Sequence, residues 1–171
     1  MPDLVYKTQT PFVEKGSATL VITCSSNTFY PYIREFLEKY LQLPEGSYDY
    51  LSVPGGPQFL MLTEYLPKFA WAGQRWVKFL IEKHRLKKVI LITHEDCAWY
   101  NDERMIPAFW HKLGLGSTSV SAHSSSAKER QMEHLKQMAQ SIHELAAPIA
   151  VDAYYAQKET DGTVGFVKVA A

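Results

Sequence analysis

Two stretches of the chain are apolar without interruption, and both end in side chains able to bind a metal. Val89-Ile90-Leu91-Ile92-Thr93 runs into His94-Glu95-Asp96-Cys97, and Thr19-Leu20-Val21-Ile22-Thr23 runs into Cys24. Short unbroken runs of this kind predict strands buried on both faces, as in parallel sheets. The first strand is expected over residues 18–23. A helix follows to about Leu41, with Asn27 or Thr28 as its cap, Pro31 in its first turn and Ile33, Phe36, Leu37, Tyr40 and Leu41 on one face. Residues 48–53 alternate as a second strand. They stop at Pro54-Gly55-Gly56-Pro57, a turn in which glycine allows positive φ and a close backbone approach.

Helical spacing resumes over residues 63–84. Phe69, Ala72, Trp76, Phe79 and Leu80 form an aromatic stripe there that is expected to pack in the core. Residues 98–115 read as helix broken by Pro107, and residues 117–126 as a serine-rich loop holding His123. Residues 127–146 give the clearest helix, with Met132, Leu135, Met138, Ala139, Ile142 and Leu145 on one stripe. A strand over 149–157, the turn Asp161-Gly162 and a returning strand over 165–170 close the chain. The order predicts an α/β fold, a mostly parallel central sheet flanked by helices with a C-terminal β-hairpin, as a single domain over 1–171. Residues 1–17 read as an arm with Pro2, Pro11 and Gly16 as breakers. Leu4, Val5, Tyr6, Phe12 and Val13 are too many apolar groups for a free tail, so the arm is expected to pack on its own subunit or on a partner.

Charge narrows the partners. Lys plus Arg and Asp plus Glu are 18 each among 171 residues, which gives no electrostatic reason to expect nucleic acid or an anionic membrane surface. No apolar run approaches a membrane span and the N-terminus lacks a signal-peptide pattern, so the expectation is a soluble cytoplasmic protein. In a reducing compartment, cysteines are expected to be free, catalytic or metal-bound rather than disulfide-paired. Four Trp, ten Tyr and eight Phe suit a large core or a subunit interface.

Cys24, His94 and Cys97 would form a Cys₂His set at the carboxyl ends of buried strands, where open α/β sheets build their sites. Zinc favours such donors, and a catalytic zinc keeps three protein ligands and one open position. Buried cysteines and core histidines are also common as packing elements. A cysteine nucleophile with His94 as base is a further reading, though two cysteines converging on one histidine suit coordination better. Glu95, Asp96, Asp102 and His123 are the polar groups available to support the site. For Glu95 and Asp96 the alternative is capping of the following helix. His111, His134 and His143 read as surface or packing residues.

The pattern resembles the β-class carbonic anhydrases, which carry a strand ending in Cys-x-Asp-x-Arg, a second running into Gly-Gly and a third ending in His-x-x-Cys. The corresponding segments here are Cys24-Ser25-Ser26-Asn27-Thr28, Val53-Pro54-Gly55-Gly56 and His94-Glu95-Asp96-Cys97, over roughly residues 18–100. The resemblance implies Zn2+ held by Cys24, His94 and Cys97, and zinc-hydroxide attack on carbon dioxide or another small electrophile. It also implies a homodimer or higher homo-oligomer embraced by the arm, and a substrate pocket lined by Gly55, Gly56 and Gln58. The Asp–Arg pair that gates the fourth zinc position in that family is replaced by Ser26 and Thr28, and Ala98 stands where a glycine usually follows the second cysteine. Serine carries no charge and cannot hold an arginine bidentately. Ser26, Glu95 and Asp96 are therefore the candidates for orienting water and substrate. A catalytically silent carbonic anhydrase-like binding domain is the alternative.

Overall fold

The computed structural model describes residues 5–61, 67–101 and 127–170. Five strands form one sheet in the order β2-β1-β3-β4-β5, with β1 at Thr19–Cys24, β2 at Asp49–Val53, β3 at Lys88–His94, β4 at Ala150–Lys158 and β5 at Val164–Val169. All neighbours are parallel except β4 and β5, which pair antiparallel through the turn at Asp161-Gly162. Gly162 has φ +84° there, and Asp161 Oδ1 accepts from the Thr163 N–H. Each strand lies within a residue or so of its expected place. The terminal hairpin and the mostly parallel sheet are as expected.

The period of two along β1 and β3 sorts their side chains between two cores. Leu20, Ile22, Val89 and Leu91 face α2 (Pro67–His84) and α4 (Ala127–Ala146). Val21, Ile90 and Ile92 face α1 (Tyr30–Glu35) and the π-helical turn Phe36–Tyr40 that prolongs it, through Ile33, Phe36 and Leu37. Burial on both faces explains why these two strands read as continuous apolar runs. α1 starts after Phe29 without any side-chain cap, so the expected capping by Asn27 or Thr28 is corrected; Pro31 does sit in its first turn. Phe29 is drawn inward by burial, at 4 % exposure.

α2 corrects a second expectation. Its buried face is Gly73, Val77 and Ile81, whereas Trp76 and Phe79 are 54 % and 60 % exposed, joined by Trp71. Gly73 decides this orientation: a Cβ there would collide with the Phe59 ring, so the helix docks through its smallest side chain against the 3₁₀ segment Gly56–Met61. Trp76 and Phe79 share helical spacing with a core face but lie on the other side, while Leu80 of the same stripe packs against the core and the Phe69 side chain lies outside the described residues. α4 behaves as expected, burying Leu135, Met138, Ala139 and Ile142. A four-residue helix, α3 (Ala98–Asn101), follows β3. The broken helix and serine-rich loop expected over 102–126, with Asp102, His111 and His123, lie outside the described residues, as do Leu4 and residues 62–66. Among the described arm residues Val5, Tyr6, Phe12 and Val13 are all exposed, so the arm does not pack on its own subunit there. No helix among the described residues is long and apolar enough to cross a membrane.

Candidate metal centre

Adjacent parallel strands β1 and β3 bring their carboxyl ends side by side, so the residues that end them meet. Cys24 is the last residue of β1, His94 the last of β3, and Cys97 follows after a two-residue loop. One donor atom from each of the three lies within 4.8 Å of the others, and all three residues are buried. The two sulfurs are 3.8 Å apart. That is far beyond a disulfide of about 2.05 Å. It equals the separation of about 3.8 Å expected for two sulfurs each about 2.3 Å from one tetrahedral zinc.

The loop sets the histidine. Asp96 has φ +53°, which turns the chain back toward the sheet, and Glu95 N–H donates to Ala156 O on β4 at 2.8 Å. The Glu95 carbonyl accepts from His94 Nδ1–H at 2.7 Å. That bond fixes the tautomer and leaves Nε2 with its lone pair, buried and without a hydrogen-bond partner among the described residues. A backbone acceptor on one ring nitrogen and an open lone pair on the other is the arrangement that metal-bound histidines show. Phe29 stacks on the imidazole with centroids 4.4 Å apart and planes 21° from parallel, which holds the ring's rotation.

The sulfurs are set up for charge. Cys97 donates to Cys24, which lowers the Cys24 thiol against the opposing effect of burial; His94 and the Gly55 backbone N–H lower it further. The Cys97 thiol is raised by that same bond and by burial, while the Tyr100 and Trp99 backbone N–H groups favour its ionised form. A metal that draws both sulfurs to thiolates releases a proton, and these backbone donors then share the charge. The donor set, the sulfur spacing and the orphaned Nε2 all fit zinc.

Gly55 and Gly56 form the wall beside Cys24, with φ +77° and +62°. A Cβ on Gly56 would stand 3.0 Å from the Cys24 backbone nitrogen, and one on Gly55 would enter the Trp99 indole. Gln58 is buried; its Nε2 is 3.5 Å from His134 Nδ1, and its Oε1 has no partner among the described residues. Ser26 is half-buried at the β1 exit, and Thr28 is exposed with its hydroxyl 3.4 Å from Asn27 Oδ1. Glu95 Oε2 accepts from the Lys158 N–H at 2.7 Å and Asp96 pairs with Lys158 Nζ, so both carboxylates engage β4. The alternative role of capping α3 is not what their hydrogen bonds serve.

Sequence reasoning overlooked three residues here. Phe29 was hidden as the residue before a helix. Trp99 and Tyr100 directly follow the second cysteine, and that adjacency was the available signal. Tyr100 packs with Cys24 and Cys97, burial raises its phenol, and its OH is 3.3 Å from His134 Nδ1. His134 was expected at the surface or in packing; it packs, with burial lowering its pKa.

Comparison with known proteins is informative at the level of structure alone. No family model matches the chain, and no curated protein does. A β-carbonic anhydrase of the protozoan Trichomonas vaginalis superposes with a TM-score of 0.57 at 13% identity, over 95% of this chain and 90% of that one. A carbonic anhydrase from Streptococcus mutans gives 0.56 at 13%, over 96% and 88%. The apo form of a carbon disulfide hydrolase gives 0.51 at 14%, over 88% and 78%. At these identities it is the fold that is shared. The chain has the β-carbonic anhydrase fold, and the carboxyl ends of its β1 and β3 carry the Cys24–His94–Cys97 cluster.

Proposed function

We propose that this protein binds Zn2+ through Cys24, His94 and Cys97 and acts on carbon dioxide or another small electrophile, as a β-carbonic anhydrase-like enzyme. The observation that carries this reading is the buried, unpartnered Nε2 of His94, held in the metal-binding tautomer beside two sulfurs 3.8 Å apart. When bound, zinc supplies Lewis acidity strong enough to ionise water near neutral pH. Two thiolates weaken that acidity relative to neutral imidazoles, and the N–H groups of Gly55, Trp99 and Tyr100 offset part of the loss by drawing charge off the sulfurs. Glu95 serves through its carbonyl, and its carboxylate, with Asp96 and Lys158, fixes the loop that carries it. Ser26 is the hydroxyl left to orient water at the β1 exit. Gly55, Gly56 and the open Oε1 of Gln58 are assigned to the substrate side. That one of the similar structures is a carbon disulfide hydrolase supports keeping such linear electrophiles beside carbon dioxide as substrates.

The exposed Val5, Tyr6, Phe12 and Val13 of the arm, with Trp71, Trp76 and Phe79 of α2, support a homo-oligomer. The reading is of one domain over residues 1–171, cytoplasmic, with no nucleic-acid or membrane partner.

Metal analysis of protein purified without chelator is expected to give about one zinc per chain; folded, metal-free protein refutes the proposal. Stopped-flow hydration of carbon dioxide then tests the reaction. A second reading rests on the β1 exit: no charged side chain stands at Ser26 or Thr28. One zinc per chain with hydration no faster than buffer selects that reading, a catalytically silent binding domain.

A further inference from the structure

A cavity of about 320 Å³ opens between the carboxyl ends of β3 and β4 and the first turns of α4, and none of the three candidate metal ligands lines it. Its walls carry Glu95 and Asp96 from the loop, Lys158 and Tyr155 from β4, and Lys128 and Gln131 from α4. Much of this polarity is already paired. Lys158 satisfies Asp96 and one oxygen of Glu95. Lys128 Nζ donates to Gln157 Oε1 at 2.6 Å and stands 5.6 Å from the centre of the Tyr155 ring. What remains is specific. Gln131 is 1 % exposed, yet its Oε1 accepts from nothing among the described residues. An amide carbonyl removed from water without a donor is costly, and a ligand N–H relieves that cost. Glu95 keeps a second oxygen for the same donor, while the Lys128 ammonium has further N–H bonds to offer an anion.

We propose that this cavity is a binding site for a small zwitterion of the amino-acid type, its ammonium facing Gln131 Oε1 and Glu95 and its carboxylate facing Lys128. Charge balance argues for a zwitterion over a simple ion. Glu95 and Asp96 oppose Lys128 and Lys158, so an ion of either sign leaves an uncompensated charge, and a neutral molecule with separated charges does not. A group without N–H bonds, such as a quaternary ammonium, leaves Gln131 Oε1 unsatisfied.

NMR titration of the full zinc-loaded chain with glycine, methylammonium and acetate tests the site. Glycine is expected to bind saturably, with methylammonium and acetate each at least about tenfold weaker, the size of one lost charged hydrogen bond. Gln131→Met keeps the side-chain volume and removes the orphaned acceptor; it should weaken glycine at least about tenfold in a chain that stays folded. Lys128→Met alters an exposed residue and should abolish the preference of glycine over methylammonium. Absence of saturable glycine binding overturns the proposal and leaves the cavity to water. Binding that survives Gln131→Met marks chelation by the metal and overturns it equally. If Gln131→Met does not fold, an undiminished glycine preference in Lys128→Met is decisive against the site.

Discussion

The two strand ends that meet at the candidate metal centre are built to different standards. At the end of β3 every donor is braced: His94 by the Glu95 carbonyl and the Phe29 ring, Cys97 by two backbone N–H groups and by Tyr100, which leans on His134. At the end of β1, Cys24 is braced by Gly55, and Ser25 N–H still bonds to Val53 O at 3.1 Å, but the residues beyond carry no charge and turn toward solvent. In the proposed reading, holding a metal and directing chemistry on it are therefore separate tasks: both strand ends give ligands, and the β1 exit is left to direct the chemistry. Among the described residues the first has its three donors in place, and the second has Ser26, Thr28 and Gln58.

The largest effect should come from breaking the braced end. Cys97→Ser replaces a thiolate by a hydroxyl that zinc binds poorly, and should lower zinc affinity by more than about 100-fold, beyond the 10–100-fold typical of changes around the ligands. A competition titration with a chromogenic chelator measures it. Retention of stoichiometric, tight zinc in that variant would show that Cys97 is no ligand. The next effect concerns the wall shared by both ends. Gly56→Ala forces a Cβ into a left-handed residue and against the Cys24 backbone 3.0 Å away. The cost should be about 2–3 kcal/mol, from about 1–2 kcal/mol for the conformation plus the steric contact. Thermal unfolding should then drop by roughly 5–10 °C; a drop under about 2 °C would mean that β1 and the turn separate easily.

Much of this division was legible in the chain. β1 and β3 announced themselves because burial on both faces removes polar alternation, and their ends carried the only cysteines with a histidine between them. The Gly55-Gly56 turn was legible too, since only glycine takes both conformations without strain. α2 misled because Trp76 and Phe79 repeat at helical spacing whichever side faces the core; the deciding residue was Gly73, whose absent side chain admits Phe59, a contact that no local pattern contains. Phe29 and Tyr100 were missed for a related reason. Each acquires its role from a residue far off in sequence, as Phe29 does by stacking on His94 and Tyr100 does across the 34-residue separation from His134. Periodicity reports which face is buried, not what lies across from it.

Restoring the stripped end is a sharper test than removing the braced one. Ser26→Asp with Thr28→Arg reintroduces a carboxylate and a bidentate guanidinium at the β1 exit. If only that pair separates this site from an active one, carbon dioxide hydration should rise by at least about tenfold, or about 1.4 kcal/mol of transition-state stabilisation. Zinc content should stay unchanged. A zinc-loaded double variant with no gain would place the deficit elsewhere, with Gln58 the next position to change.

The smallest effect probes the bracing beneath Cys97. Burial, assisted by Arg130, lowers the His134 pKa, so the folded chain keeps this imidazole neutral and able to accept from Tyr100 and Gln58. Above about pH 6.5 neither state holds the proton and His134 adds no pH dependence. As pH falls below that value the unfolded chain is protonated first. Stability therefore declines until the lowered folded pKa is reached, below which the folded form is protonated as well. His134→Gln keeps an acceptor for Tyr100 without the titration, so its urea midpoint should fall less between pH 7.5 and 5 than that of the parent. Parallel pH profiles for the two chains would mean that His134 is solvated, and that the support of Cys97 ends at Tyr100.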